Sequence, residues 1–445
     1  MVSFKSILKL SFPIMVGSAV QNIINLTDTF FLGRVENEDL KVEYLGAIGL
    51  AGVFYLLITT IGYSFTKAGQ IMIARRVGED AKSDVGTITH AMGAFALLLS
   101  LVMFAFMKFF GASFFSMIVT DKGILKACIE YLDYRSYGVF FSYMGVVVLS
   151  LYTGIARTTV IIYNALVMGL ANVVLNYGLV FGNLGMPEMG IGGAALASTI
   201  SEFLAFMVFI IYLFFDKKMH QYAIFKMPQV DIKIITAQIK LSIPMILQTF
   251  ASLGSWFIFF ALIEQLGRNE LAISNIIRTV YMLYMIPAWG FSSGINTIVS
   301  NLIGKNKLQE VWPAINKTAI LCFAVTMVLC VFLLLFPEKI LMIGTDKPEL
   351  LEASKRLIWV LILILSLYSF SIIYFNGLVG TGATKEALYI QVSCVILYII
   401  YVYVVVGYLK SSLEISWLAE TIYMSSSMAV SIWYLKSNKW KKLSI

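Results

Sequence analysis

The chain has 445 residues, 59% of them hydrophobic and only 13% charged, with a mean hydropathy of +0.86. These values exclude a water-soluble protein with a polar coat and place the chain in a membrane. The excess of Lys and Arg over Asp and Glu, +8, then marks cytoplasmic loops rather than a nucleic-acid partner. Four cysteines, with Cys322, Cys330 and Cys394 inside apolar runs, offer neither a disulfide framework nor paired metal-ligand spacing.

An apolar run of about 20 residues crosses a hydrocarbon core of roughly 30 Å, and twelve such runs predict twelve helical spans. The first, 8–32, follows lysines as a signal peptide would, but it is too long for one and eleven more follow. Pro13 lies inside it and removes a backbone hydrogen bond, which makes a hinge or a fixed bend. Gln21, Asn25 and Asp28 stand at i, i+4 and i+7 and so share one helix face. The second span, 46–72, runs into GQIMIARRVG (69–78), and the third, 88–110, has His90 near its start. After the fourth, 134–155, the fifth (160–182) carries Asn172 and Asn176 at i, i+4. The sixth (191–215) repeats that spacing with Ser198 and Glu202. Each of these polar groups is costly to expose to lipid, so they should turn inward and meet. Two readings stand: a cation or proton site around Asp28, or a structural hydrogen-bond cluster between helices. Glu202 belongs either to that site or to a solvated inner vestibule.

A Lys-containing loop from Asp216 to Gln238 follows, with His220 in it, and then six further spans: 240–264, 272–300, 314–336, 357–380, 387–408 and 416–435. The second six carry Ser, Thr, Tyr and other aromatic residues, as in YIIYVYVVVGY (398–408). Glu264 lies close to an outer loop, and no acid is expected in mid-span. Coupling chemistry is therefore expected in the first half.

The chain repeats itself. LKLSFPIMV (8–16) returns as IKLSIPMIL (239–247), and GQIMIARRVG (69–78) as INTIVSNLIG (295–304). Two copies in the same sense, each with an even number of spans, imply halves related by an axis along the membrane normal. The expected organisation is an N-terminal six-helix lobe (1–215), a cytoplasmic linker (216–238) and a C-terminal six-helix lobe (239–445), an all-α membrane protein with two pseudo-symmetric lobes and a cleft between them. More basic residues fall on the inner side when the N-terminus is cytoplasmic, so both termini are expected inside, in the cell's inner (plasma) membrane.

The pattern P-x7-Q-x3-N-x2-D in the first span, GQIMIARRVGE after the second, and NVVLNYGLVFGNLGMPEMGIGGAALAS across the fifth and sixth resemble the multidrug and toxic compound extrusion (MATE) family. The likeness covers essentially the whole chain. It implies two six-helix lobes around a central cavity, and export of cationic or amphipathic organic compounds in exchange for Na⁺ or H⁺. Position by position, Pro13, Gln21, Asn25, Asp28, Asn172 and Asn176 fall on the family's first-lobe cation and proton region, with Ser198 where a threonine is usual. Were Na⁺ the coupling ion, Asp28, Asn172 and Asn176 would be its ligands. Asn176 stands where many members have a second aspartate, and Ile24 replaces a frequent tyrosine. One carboxylate balanced by one Na⁺ or one proton leaves such a site neutral, which implies one coupling ion per cycle.

Beside this exporter reading stand two others. A flippase for a lipid-linked saccharide should line its cavity with Arg and Lys to hold pyrophosphate, and few basic residues lie in mid-span here. A membrane-embedded enzyme would need a nucleophile with its base, or a metal cluster; HExxH does not occur, and the one GxSxG string, GFSSG (290–294), lies inside a predicted helical span rather than at the strand-to-helix turn that such a nucleophile needs. The resulting expectation is a non-enzymatic, monomeric transporter whose partners are small-molecule cargo and the lipid bilayer, with no nucleic acid and no cofactor beyond the coupling ion.

Overall fold

A computed structural model describes residues 2–227, 230–345 and 347–443. Its regular elements are all helical among the described residues. All twelve predicted spans are present. Among the described residues, nine helices are long and apolar enough to cross a membrane: Phe4–Leu32 (span 1), Glu38–Gly78 (span 2), Asp84–Ile118 (span 3), Thr159–Phe181 (span 5), Gly190–Phe215 (span 6), Ile232–Glu264 (span 7), Leu308–Leu335 (span 9), Ile358–Gly380 (span 10) and Thr384–Tyr408 (span 11). Two bent pairs qualify when each is taken as one span: Lys122–Arg135 with Gly138–Gly154 (span 4, 50°) and Arg268–Tyr284 with Ile286–Gly304 (span 8, 43°). The last helix, Ala419–Lys436 (span 12), is serine-rich and opens with a glutamate, too polar to qualify by hydropathy alone.

Several helices outrun the expected boundaries. The 35 residues of span 3 extend about 50 Å, well beyond a 30 Å hydrocarbon core. A hydropathy window misses their polar ends. Capping fixes two of those ends. Asn37 Oδ1 accepts from the amides of Asp39 (3.0 Å) and Leu40 (3.1 Å) at the start of span 2, and Asp121 Oδ1 accepts from Ile124 N (2.9 Å) at the start of span 4. Span 8 breaks at Met285, where Pro287 enters the next helix at its first turn and supplies no amide to continue the preceding one. Span 7 begins at Ile232, so the helix already includes the end of the expected linker. The linker's Pro228 and Gln229 lie outside the described residues.

The chain divides into two compact units, Val16–Ser242 on the one hand and Met1–Met15 with Ile243–Ile445 on the other. Span 1 thus contributes its first residues, Pro13 included, to one unit and Asp28 to the other, while its helix continues through Pro13. The core of the first unit gathers Leu32, Tyr55, Ile58, Phe115, Tyr131 and Tyr143 among others. That of the second gathers Phe259, Tyr281, Leu361, Tyr398 and Trp417. Large apolar side chains such as Phe109, Met117, Phe257 and Tyr389 point outward, the surface a lipid-facing protein presents. In the first unit, His90 Nε2 lies 2.8 Å from the carbonyl oxygen of Ile224, and Arg157 pairs with Asp216. These contacts hold the linker's first part, including the turn Lys217–Tyr222, against spans 3 and 4.

Candidate functional site

The site begins with the loop between spans 5 and 6. Gly182 (φ +70°) and Gly190 (φ +52°) take left-handed backbone conformations that favour glycine, and Met189 N donates to Leu179 O at 2.8 Å. The two helices then lie so close that a Cβ on Gly193 would sit 2.4 Å from Leu179 O. That tight hairpin is what the glycine-rich part of the 172–198 motif does. It carries Asn172 and Asn176 on one helix to Ser198 on the next.

Asp28 completes the group from span 1 and is only 5% exposed. Asn176 Nδ2 donates to Asp28 Oδ1 at 2.9 Å, with Asn172 Nδ2 at the longer 3.4 Å. Ser198 Oγ donates to Asp28 Oδ2 at 2.8 Å, and Asn172 Nδ2 also donates to Ser198 Oγ at 3.0 Å. Four predicted residues from three spans therefore meet around one carboxylate. No ion pair reaches Asp28 among the described residues. Ile24, one turn away, packs in a small apolar cluster with Met168 and Ala205.

The remaining predicted residues lie elsewhere. Gln21 is exposed and is not among the hydrogen-bond partners of Asp28. The side chain of Asn25 lies outside the described residues. Glu202, one turn beyond Ser198, is engaged by a partner that sequence reasoning missed. Arg135 clasps it through Nη1–Oε2 (2.8 Å) and Nη2–Oε1 (2.6 Å), and Tyr55 Oη donates to Oε2 at 3.2 Å. The guanidinium also lies over the Tyr55 ring, 3.8 Å from its centroid, a cation–π contact. Arg135 stands at the predicted start of span 4, where it resembles a helix-end charge; only the bend that follows it turns it inward. Gly138 just after that bend leaves the room, since a Cβ there would sit 2.4 Å from Arg135 Nη1 and 2.7 Å from Glu202 Oε2.

The second unit has no acid in mid-span among the described residues, as expected, but it buries one at a span's start. Glu420, at the start of span 12, is 2% exposed. It sits near enough to the predicted span's edge to pass for an interfacial charge.

The Asp28 donors suit a hard cation. The amide oxygens of Asn172 and Asn176 are buried and without a hydrogen-bond partner, and an orphaned acceptor of this kind costs about 1–3 kcal/mol. Turning either amide about its last torsion would present that oxygen to the carboxylate side in place of the NH2 group. The cluster then offers carboxylate, amide and hydroxyl oxygens with no softer ligand, the chemistry of an alkali or alkaline-earth ion. The same carboxylate can take a proton.

A family model described as MatE matches residues 13–178 and again 244–404. The two matches begin at Pro13 and Pro244, the prolines that the internal repeat aligns. A curated relative in Thermotoga maritima, "Probable multidrug resistance protein NorM", is 23% identical over 99% of this chain and 94% of its own length. "Probable multidrug resistance protein YoeA" of Bacillus subtilis is 21% identical over 78% of this chain and 75% of its own. Among solved structures, an outward-facing multidrug resistance MATE family transporter of the MOP superfamily superposes with a TM-score of 0.90 at 18% identity, covering 99% of this chain and 97% of that one. A MATE structure in its straight conformation gives 0.88 at 19% identity, with the same coverage of both chains.

Proposed function

The chain belongs to the MatE family, and on that premise we propose that it is a secondary active antiporter. It exports small organic compounds, cationic or amphipathic, in exchange for H⁺ or Na⁺ by alternating access. The observation that carries this reading is Asp28, a carboxylate buried in a membrane span with three side-chain donors and, among the described residues, no ion-pair partner. The relatives named as multidrug resistance proteins support the choice of cargo class.

The mechanism follows from charge. A buried carboxylate is costly when uncompensated, and three hydrogen bonds offset only part of that cost. Neutralisation by a proton or a cation removes the rest. Asp28, Ser198 and the amide oxygens of Asn172 and Asn176 would hold Na⁺, which supplies a fixed positive charge when bound. Because Arg135 already neutralises Glu202, one monovalent ion suffices to balance the whole cluster. The switch between charged and neutral Asp28 acts on span 1, which Pro13 weakens by one backbone hydrogen bond. A 100 mV potential supplies about 2.3 kcal/mol per charge moved, comparable with the cost of one lost buried hydrogen bond. The protein works in the cell's inner membrane with both termini and the 216–238 linker in the cytoplasm.

The buried Arg135 is committed to Glu202, which leaves it unsuited to grip a pyrophosphate and favours the exporter over a saccharide flippase. The test is uptake of a fluorescent organic cation into vesicles containing the purified protein, with Na⁺ and proton gradients imposed separately. Uptake driven by either gradient supports the reading; uptake indifferent to both overturns it.

A further inference from the structure

Glu420 is a buried acid that the Asp28 mechanism does not use. An acid in the first turn of a helix is ordinarily a solvated charge answering the helix dipole. Here no open helix end faces water. The preceding helix Leu413–Trp417 runs into span 12 through Leu418, whose backbone angles are helical (φ −61°, ψ −13°), and Thr421 N donates to Leu418 O at 3.0 Å. The carboxyl is enclosed in aromatic rings.

Tyr398 Oη donates to Glu420 Oε1 at 3.1 Å. Trp256 of span 7 also hydrogen-bonds the carboxyl, and Tyr281 of span 8, Tyr368 of span 10 and Tyr423 of span 12 itself lie close enough to feel its charge. Their rings interlock: Trp256 stacks on Tyr281 at 5.8 Å, and Tyr281 meets Tyr368 edge-on at 6.1 Å. No Lys or Arg forms an ion pair with Glu420 among the described residues. The hydroxyl of Tyr281 is buried with no hydrogen-bond partner.

An ionised carboxylate in this cage would lack a countercharge. A metal ion would need several further strong oxygen ligands, and the groups around Glu420 are phenol hydroxyls and an indole N–H, which are poor ones. An organic cation would need room that a 2% exposed side chain does not leave. A proton needs none. It would remove the uncompensated charge and leave the carbonyl oxygen to accept from Tyr398. We propose that Glu420 is a second proton-binding site, separate from Asp28, and that it carries a proton during export. The carrying role rests on the exporter reading; the binding site does not.

Infrared spectroscopy of the purified protein tests the site directly. At neutral pH the wild type should show a carboxylic-acid C=O band that Glu420→Gln removes and Asp28→Asn keeps. Glutamine preserves the shape and an acceptor for Tyr398. Tyr398→Phe removes a hydrogen bond from the C=O and should move the same band to higher frequency, so the assignment does not hang on one variant. In vesicles, proton-driven export of a fluorescent organic cation by Glu420→Gln should fall at least about tenfold, with an unchanged unfolding temperature. A band that survives Glu420→Gln overturns the site. A band that is lost while export and its pH dependence stay at the wild-type level overturns the carrying role and leaves a structural acid. Should the wild type not export at all, the exporter reading and the carrying role fall together, while the band still decides the site.

Discussion

Arg135 and Glu202 hold each other in a two-pronged ion pair, 2.6 and 2.8 Å, one helical turn from the Ser198 hydroxyl that donates to Asp28. Glu202 has its countercharge in Arg135, and Asp28 has donors but, among the described residues, no ion-pair partner.

Asp28→Asn keeps the size and a hydrogen-bonding group but fixes the neutral state. The variant should insert and fold normally, retain cargo binding, and lose gradient-driven export. Vesicle uptake beside a cargo-binding titration checks this, and export at the wild-type rate would make the carboxylate structural.

Removing one partner of a buried ion pair leaves the other charge uncompensated, at about 3–5 kcal/mol. Arg135→Gln should therefore lower the unfolding temperature sharply in detergent, and the double variant Arg135→Gln with Glu202→Gln should recover most of the loss. Glu202→Gln alone should weaken dependence on the coupling ion, because a released guanidinium can balance Asp28 itself. A double variant no more stable than Arg135→Gln would show that the pair is not the unit of stability.

Gly138→Ala tests the same pair without touching its charges. The added methyl would press on Arg135 Nη1 and Glu202 Oε2, and overpacking of this kind costs about 1–3 kcal/mol. Thermal unfolding should report the loss; an unchanged midpoint would mean that the bend in span 4 yields freely.

Asn176→Ala removes one donor to Asp28 and one orphaned oxygen while leaving the carboxylate. A net hydrogen bond is worth about 1 kcal/mol, so the ion concentration for half-maximal export should rise several-fold with transport retained. Abolition of export as complete as in Asp28→Asn would raise Asn176 from a helper to an essential ligand.

The four cysteines are all buried, which gives a clean background for labelling at an exposed linker position such as Lys226. Lys226→Cys should react with an impermeant maleimide only when the cytoplasmic side is open to it. Reaction in intact cells would reverse the proposed orientation.

Hydropathy and period carried far in this chain. A span must be long, apolar and helical because the bilayer leaves its backbone no other partner, so the twelve helices could be read from composition alone. The repeat at Pro13 and Pro244 and the shared faces of Asn172 with Asn176 and Ser198 with Glu202 were equally legible, since they depend only on spacing along a helix. Those spacings bring Asp28, Asn172, Asn176 and Ser198 together as expected. What spacing cannot encode is which side chains from distant helices share one interior. Arg135 stands at the start of the predicted span 4, and the 50° bend that follows it lets it meet Glu202, while Gln21 shares a helical face with Asp28 yet remains exposed. Glu420 stands at the start of a span, and only the packing of aromatic rings from spans 7, 8, 10 and 11 encloses it. Membrane insertion is a property of single segments, and the sequence determined it; the pairing of charges is a property of helices packed in three dimensions, and only the tertiary structure decided it.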